Sequence, residues 1–247
     1  MFEMVVVALA ALLTSILSAI AGLGGGVILL LVIAQFVAPT VAIPIQGSIQ
    51  LVSNGSRAAL LRHLVSWPVV GWASLLLLPA SFLGVAVATA LPEDIMRLML
   101  GIFVLVLAWR PELLRALAPK NAQGDELAKK MLVGVGGLSG FLNSTVGASG
   151  PFVSPFFKAV TVSHKAFVAT GGTIQVLAHL SKLLAFTADG WEIGEHLPMI
   201  GVGIAGVIVG SWIGTRLLDR VSEAGLDLVF KVVLTALALR VIFKALT

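Results

Sequence analysis

No cysteine occurs in the 247 residues. That excludes a disulfide framework, a cysteine-ligated metal and thiol chemistry, and leaves the redox compartment open. Charge is scarce as well: Asp, Glu, Lys and Arg make up 11% of the chain, against about a quarter in a soluble domain. Metal-ligand spacing of the HExxH kind is missing, as are a nucleophile–base signature, a phosphate-binding loop and a dinucleotide fingerprint. No metal, cofactor or ATP-driven step is therefore expected, and the chain does not read as an enzyme. Short segments alternating with period two are missing too, which argues against a transmembrane barrel. The start, Met1-Phe-Glu-Met4, lacks the basic n-region of a signal peptide and reads as the first membrane helix.

What is present is apolar. Hydrophobic residues make up 58% of the chain, and several runs reach or approach the length that spans a bilayer. The sequence predicts an all-α polytopic membrane protein. Its net charge of +4 comes mostly from segment ends, so it bears on orientation rather than on nucleic acid.

Two glycine-rich breaks organise the chain. Gly22-Leu-Gly-Gly-Gly26 interrupts the apolar run from Met4 to Ala38, and Val146-Gly-Ala-Ser-Gly-Pro-Phe-Val-Ser-Pro155 interrupts a second run. Glycine lets the backbone turn and bring bare N–H groups to a ligand, and a helix restarting at Gly24 or Gly25 would aim its positive end there, with Pro151 suited to the first turn of the second restart. A shift of 125 residues places Gly22 on Gly147, Gly25 on Gly150, Gly47 on Gly172, Gln50 on Gln175 and Arg57 on Lys182 without a gap. Slightly different shifts extend the match to Trp67 with Trp191, Gly84 with Gly210 and Arg110 with Arg240. The expected organisation is a first membrane repeat over 1–110, a linker over 111–130 and a second repeat over 131–247.

Each repeat reads as a helix (Met4 to Ala21; Met131 to Asn143), a break, a half-helix (Gly25 to Val37; Pro151 to Val160) and three spanning helices. The spanning helices are Val41 to Leu61, Trp67 to Leu91 and Ile95 to Trp109, then Lys165 to Phe186, His196 to Leu218 and Ala224 to Ala245. The half-helix is too short to cross, so a re-entrant hairpin is expected. Three crossings per repeat turn the second repeat upside down. Most Lys and Arg, among them Arg62, Arg110, Lys129, Lys130, Lys158 and Arg216, then collect on one face. The positive-inside rule puts the linker in the cytoplasm and both termini outside. Inverted repeats of this kind are a transporter signature.

Gln46, Gln50, Ser53, Asn54 and Arg57 form a polar stripe on one helix, and Gly171, Gln175, Ala178, His179 and Lys182 repeat it. Gln50 and Gln175 fall near the bilayer midplane, with Arg57 and Lys182 expected toward opposite faces, one at each mouth. Two cations flanking two amides and two helix N-termini describe an anion path. Asn143, Ser144, Thr145 and Ser149 add small polar groups at the second break, and Gly24, Gly25, Gly26 and Gly150 offer backbone N–H groups. The bland alternatives are interhelical hydrogen bonds for the amides and helix capping for Ser and Thr. His179 is the candidate for carrying a coupling proton. Gly206, Gly210 and Gly214 read as helix packing.

The motifs Ala21-Gly-Leu-Gly-Gly-Gly-Val27 with Gly47-Ser-Ile-Gln50, and Gly147-Ala-Ser-Gly-Pro-Phe-Val-Ser-Pro155 with Gly171-Gly-Thr-Ile-Gln175, resemble the TauE/SafE sulfite exporter family, also called the toluene sulfonate uptake permeases. The resemblance spans both halves. It implies a small secondary transporter of sulfite, sulfonates or related organic anions in the cytoplasmic membrane, driven by an ion gradient. The partners are then a small anion, the bilayer and a coupling proton. Rival readings are an anion channel, a carrier of a small carboxylate, and a membrane scaffold with no flux.

Overall fold

The computed structural model describes residues 1–21, 25–110, 112, 116, 118, 119, 126–217 and 223–247. Among these, every regular element is helical. In chain order they are α1 (Phe2–Ala21), α2 (Gly25–Ile33), α3 (Pro39–Leu60), α4 (Trp67–Ser74), α5 (Leu77–Ala90), α6 (Glu93–Trp109), α7 (Glu126–Thr145), α8 (Gly150–Val160), α9 (His164–Ala188), α10 (Leu197–Leu217) and α11 (Glu223–Leu246). Short 3₁₀ turns sit at Arg62–Leu64 and Ile193–His196.

Local chemistry sets several of these ends. Pro39 opens α3 in its first turn, where a missing N–H costs nothing. Ser163 caps α9 by accepting from the Ala166 N–H at 3.1 Å. Gly147, at φ +70°, takes the left-handed conformation that lets the chain leave α7 for α8. The expected single helix over Trp67 to Leu91 is instead two, α4 and α5, bent by 44°. Pro79 explains the bend: it has no N–H for the Leu75 carbonyl, and its ring crowds that turn. The half-helix expected to reach Val37 stops at Ile33, and turns carry the chain to Pro39.

The exterior is apolar and the interior holds much of the polarity, as suits a protein dissolved in lipid. Leu9, Leu13, Phe82, Leu83, Ile102, Val209, Val232 and Leu239 all face outward. Phe2–Ile20 and Ile193–Leu217 are long and apolar enough to cross a membrane, and the bent α4–α5 pair passes the same test taken as one span. The α2 half-helix is buried along most of its length, which is what a helix apolar on every side requires.

Packing pairs α1 with α10, and α7 with α4 and α5; α3 lies against α9, and α6 against α11. Small residues bring these helices together. A Cβ on Gly206 would lie 2.5 Å from the Ala8 carbonyl oxygen and one on Gly214 2.7 Å from Ala19 Cβ, while one on Gly210 would collide with the Leu12 carbonyl. The packing role expected for these glycines is the one they have. Ser15 adds hydroxyl bonds to Ser53 (2.8 Å) and Ser211 (2.7 Å), joining α1, α3 and α10.

Candidate functional site

The breaks and the two polar stripes meet at one cavity. Gly47 on α3 lies level with Lys182 and Leu183 on α9, while Gly172 on α9 lies level with Asn54 and Ala58. The two helices therefore run antiparallel, and each presents its stripe to the other. The cavity between them has an empty volume of about 340 Å³ including its open mouth. From α3 it is lined by Gln46, Gln50, Asn54 and Arg57, and from α9 by Gln175 and His179. Gly26 opens α2 on one side, with Ser149, Gly150 and Pro151 at the start of α8 on the other, and Ser18 and Asn143 come from the ends of α1 and α7. Two helix N-termini thus point their positive ends at one small polar space.

Hydrogen bonds organise this wall. Gln175 Nε2 donates to Ser149 Oγ at 3.3 Å, and Ser139 Oγ donates to the same atom at 3.0 Å. Gln46 Nε2 donates to the Gly26 carbonyl at 3.2 Å, tying α3 to the half-helix. Asn143 Nδ2 and His179 Nδ1 lie 3.4 Å apart. Arg57 donates through one terminal nitrogen to Asn54 Oδ1, and Asn54 Nδ2 donates to the Gln50 carbonyl at 2.9 Å.

Among the described residues the charges at this site have no counter-charge. Arg57 is 1% exposed and Lys182 fully buried, and among the described residues no Asp or Glu is buried with them. Lys182 Nζ reaches only amide oxygens, Gln46 Oε1 at 2.9 Å and Asn143 Oδ1 at 3.4 Å. Among the described residues Arg57 Nε and its other terminal nitrogen have no partner, and neither does Gln50 Nε2. Two buried cations without a carboxylate are costly unless an anion completes them.

Most residues singled out in the sequence come together here: Gly26, Gln50, Asn54, Arg57, Asn143, Ser149, Gly150, Gln175 and His179 all line the cavity. Gly24 lies outside the described residues. Gly25 faces away, packed on the Thr14 carbonyl and Ser18 Oγ of α1. Ser144 is buried with its hydroxyl unpartnered, and Thr145 donates to the Gly84 carbonyl at 3.1 Å and the Phe141 carbonyl at 2.9 Å. Both turn toward α5, because successive residues on a helix point about 100° apart and Asn143 takes the cavity side. Neither Arg57 nor Lys182 stands at an exposed mouth. They are buried about three turns apart along α3, roughly 15 Å, and Lys182 lies behind the cavity rather than on it. Gln46, one turn before Gln50 on the same face, belongs with the lining, as does Ser18, which the repeat register places opposite Asn143.

A family model described as "Sulfite exporter TauE/SafE" matches residues 7–241. No curated protein and no solved structure matches the chain.

Proposed function

The chain belongs to the sulfite exporter TauE/SafE family, a family of membrane transporters rather than enzymes, and from that premise we propose that it is a secondary transporter of a small sulfur oxyanion. Sulfite, bisulfite or a sulfonate would be held between the α2 and α8 N-termini and the Gln50 and Gln175 helices. The observation that carries this reading is the pair of buried cations, Arg57 and Lys182, with no buried carboxylate among the described residues. An anion offsets their charge, and the unpartnered N–H groups of Arg57 and Gln50 replace part of its hydration shell. Among the described residues no Phe or Trp side chain lines the cavity, which favours a compact anion over one with a bulky organic group.

Movement is read as alternating access between two inverted repeats. The cavity is lined by both members of four pairs related by the 125-residue shift: Ser18 with Asn143, Gly26 with Pro151, Gln50 with Gln175, and Asn54 with His179. Helix packing follows the same exchange, since α1 on α10 answers to α7 on α4 and α5, while α3 on α9 and α6 on α11 answer to themselves. A site shared by two such halves can open to either side by rocking one against the other. His179 beside Asn143 is the group on this wall suited to carry a coupling proton.

Flux of labelled sulfite into proteoliposomes, with and without an imposed pH gradient, tests this. Saturable uptake enhanced by the gradient, competed by methanesulfonate rather than acetate, and lost in the Gln50→Ala, Gln175→Ala double variant is the expected result. Anion-independent behaviour of the wild-type protein, or full flux in the double variant, overturns the site.

A further inference from the structure

Lys182 is buried at the site but does not line it. An ammonium has three N–H donors and no acceptor, so the amide atoms that face Nζ at 2.9 and 3.4 Å are the oxygens of Gln46 and Asn143. Holding those oxygens points each amide nitrogen the other way. Gln46 Nε2 then meets the Gly26 carbonyl, Asn143 Nδ2 lies 3.4 Å from His179 Nδ1, and both residues line the cavity. Arg57 treats Asn54 in the same manner but differs in one respect: it lines the cavity and keeps unpartnered N–H groups. Gly47 makes the arrangement possible, because a Cβ there would lie 2.5 Å from Lys182 Cε.

We propose that Lys182 is a positioning residue rather than an anion ligand: it draws the Gln46 and Asn143 carbonyl oxygens out of the cavity, so that the wall presents amide and guanidinium N–H groups. The inference rests on the anion reading above. A carbonyl oxygen turned inward would repel an anion, whereas an N–H attracts it, so the orientation of two amides sets the sign of the wall's local field. Such a wall suits an oxyanion whose oxygens carry no proton, sulfite or a sulfonate, over one that must donate a hydrogen bond, such as dihydrogen phosphate.

The test compares sulfite transport in proteoliposomes by the wild-type protein, Lys182→Met, Gln46→Leu, the double variant and Gly47→Ala. Each single substitution at Lys182 or Gln46 is expected to raise KM roughly tenfold with kcat largely kept. In the double variant the loss should fall well short of the product of the two, since both changes break one arrangement. Gly47→Ala keeps every charge and displaces only the lysine stem; a severalfold rise in KM is expected there too. Lys182→Met should also narrow the preference for methanesulfonate over dihydrogen phosphate at mildly acidic pH, which a merely structural lysine would not do. Losses that multiply, or an unchanged KM in Gly47→Ala, overturn the positioning role while the anion reading stands. A wild-type protein without saturable anion flux overturns both and is seen before any variant is compared. Should Lys182→Met fail to insert, Gln46→Leu and Gly47→Ala decide the matter.

Discussion

Arg57 shows how a single residue can be kept at a cost to stability. Its guanidinium is buried, has one side-chain partner in Asn54 and leaves two nitrogens unpartnered. Replacing a buried ion pair by apolar side chains of similar size is often neutral or stabilising, by about 1–4 kcal/mol, and a guanidinium with no buried carboxylate among the described residues has less attraction to lose. Arg57→Met should therefore melt no lower than the wild-type protein in detergent, while apparent sulfite affinity falls by roughly thirtyfold or more, the equivalent of about 2 kcal/mol. A variant that melts much lower, with flux intact, would place Arg57 in the scaffold and not in the site.

At the scale of elements, the breaks and kinks have separate causes. The α7–α8 break uses a left-handed glycine, the α4–α5 bend a proline, and the α1–α10 seam a run of glycines that admits the backbone of the neighbouring helix. Those seam glycines make a sharp contrast with others on the same helix. Gly210→Val forces α1 and α10 apart and should destabilise by about 1–3 kcal/mol, whereas Gly201, with open space around its Cβ position, should accept valine with little change. Thermal melts of the two purified variants check this, with equal melting temperatures as the contrary outcome. The α2 half-helix has another device. Its trailing Ala34 and Gln35 carbonyls accept from Arg97 (3.3 Å) and Lys244 (2.5 Å), two cations placed at the negative end of a helix dipole.

For the whole molecule, the charge distribution predicts an orientation. Lys129 stacks over Trp72, and Arg216 over Trp212, pairings of basic and aromatic groups that suit a membrane–water boundary. If the repeats are inverted and the basic face is cytoplasmic, both termini lie outside. The absence of native cysteine makes the experiment direct. In intact cells, Phe2→Cys and Thr247→Cys should react with a membrane-impermeant maleimide, and Lys129→Cys should react only after permeabilisation. Labelling of the two termini from opposite sides would show an odd number of crossings and end the inverted arrangement.

Sequence alone determined the class of the protein and the axis of its site. Scarce charge and long apolar runs leave a bilayer as the only solvent that suits the surface, and a polar stripe on a membrane helix has to face inward. The internal repeat aligned Gln50 with Gln175, and both line the cavity. Tertiary structure decided what no spacing rule contains. Asn143 faces the cavity while Ser144 and Thr145 turn to α5, because the rotation of α7 is set by its glycine contacts: a Cβ on Gly136 would meet the Ala73 carbonyl, and one on Gly140 the Leu77 carbonyl. Arg57 and Lys182 looked equivalent in the repeat, yet only Arg57 reaches the cavity. The notch at Gly47 and the oxygens of Gln46 and Asn143 hold Lys182 behind it, and those contacts come from two other helices, α3 and α7.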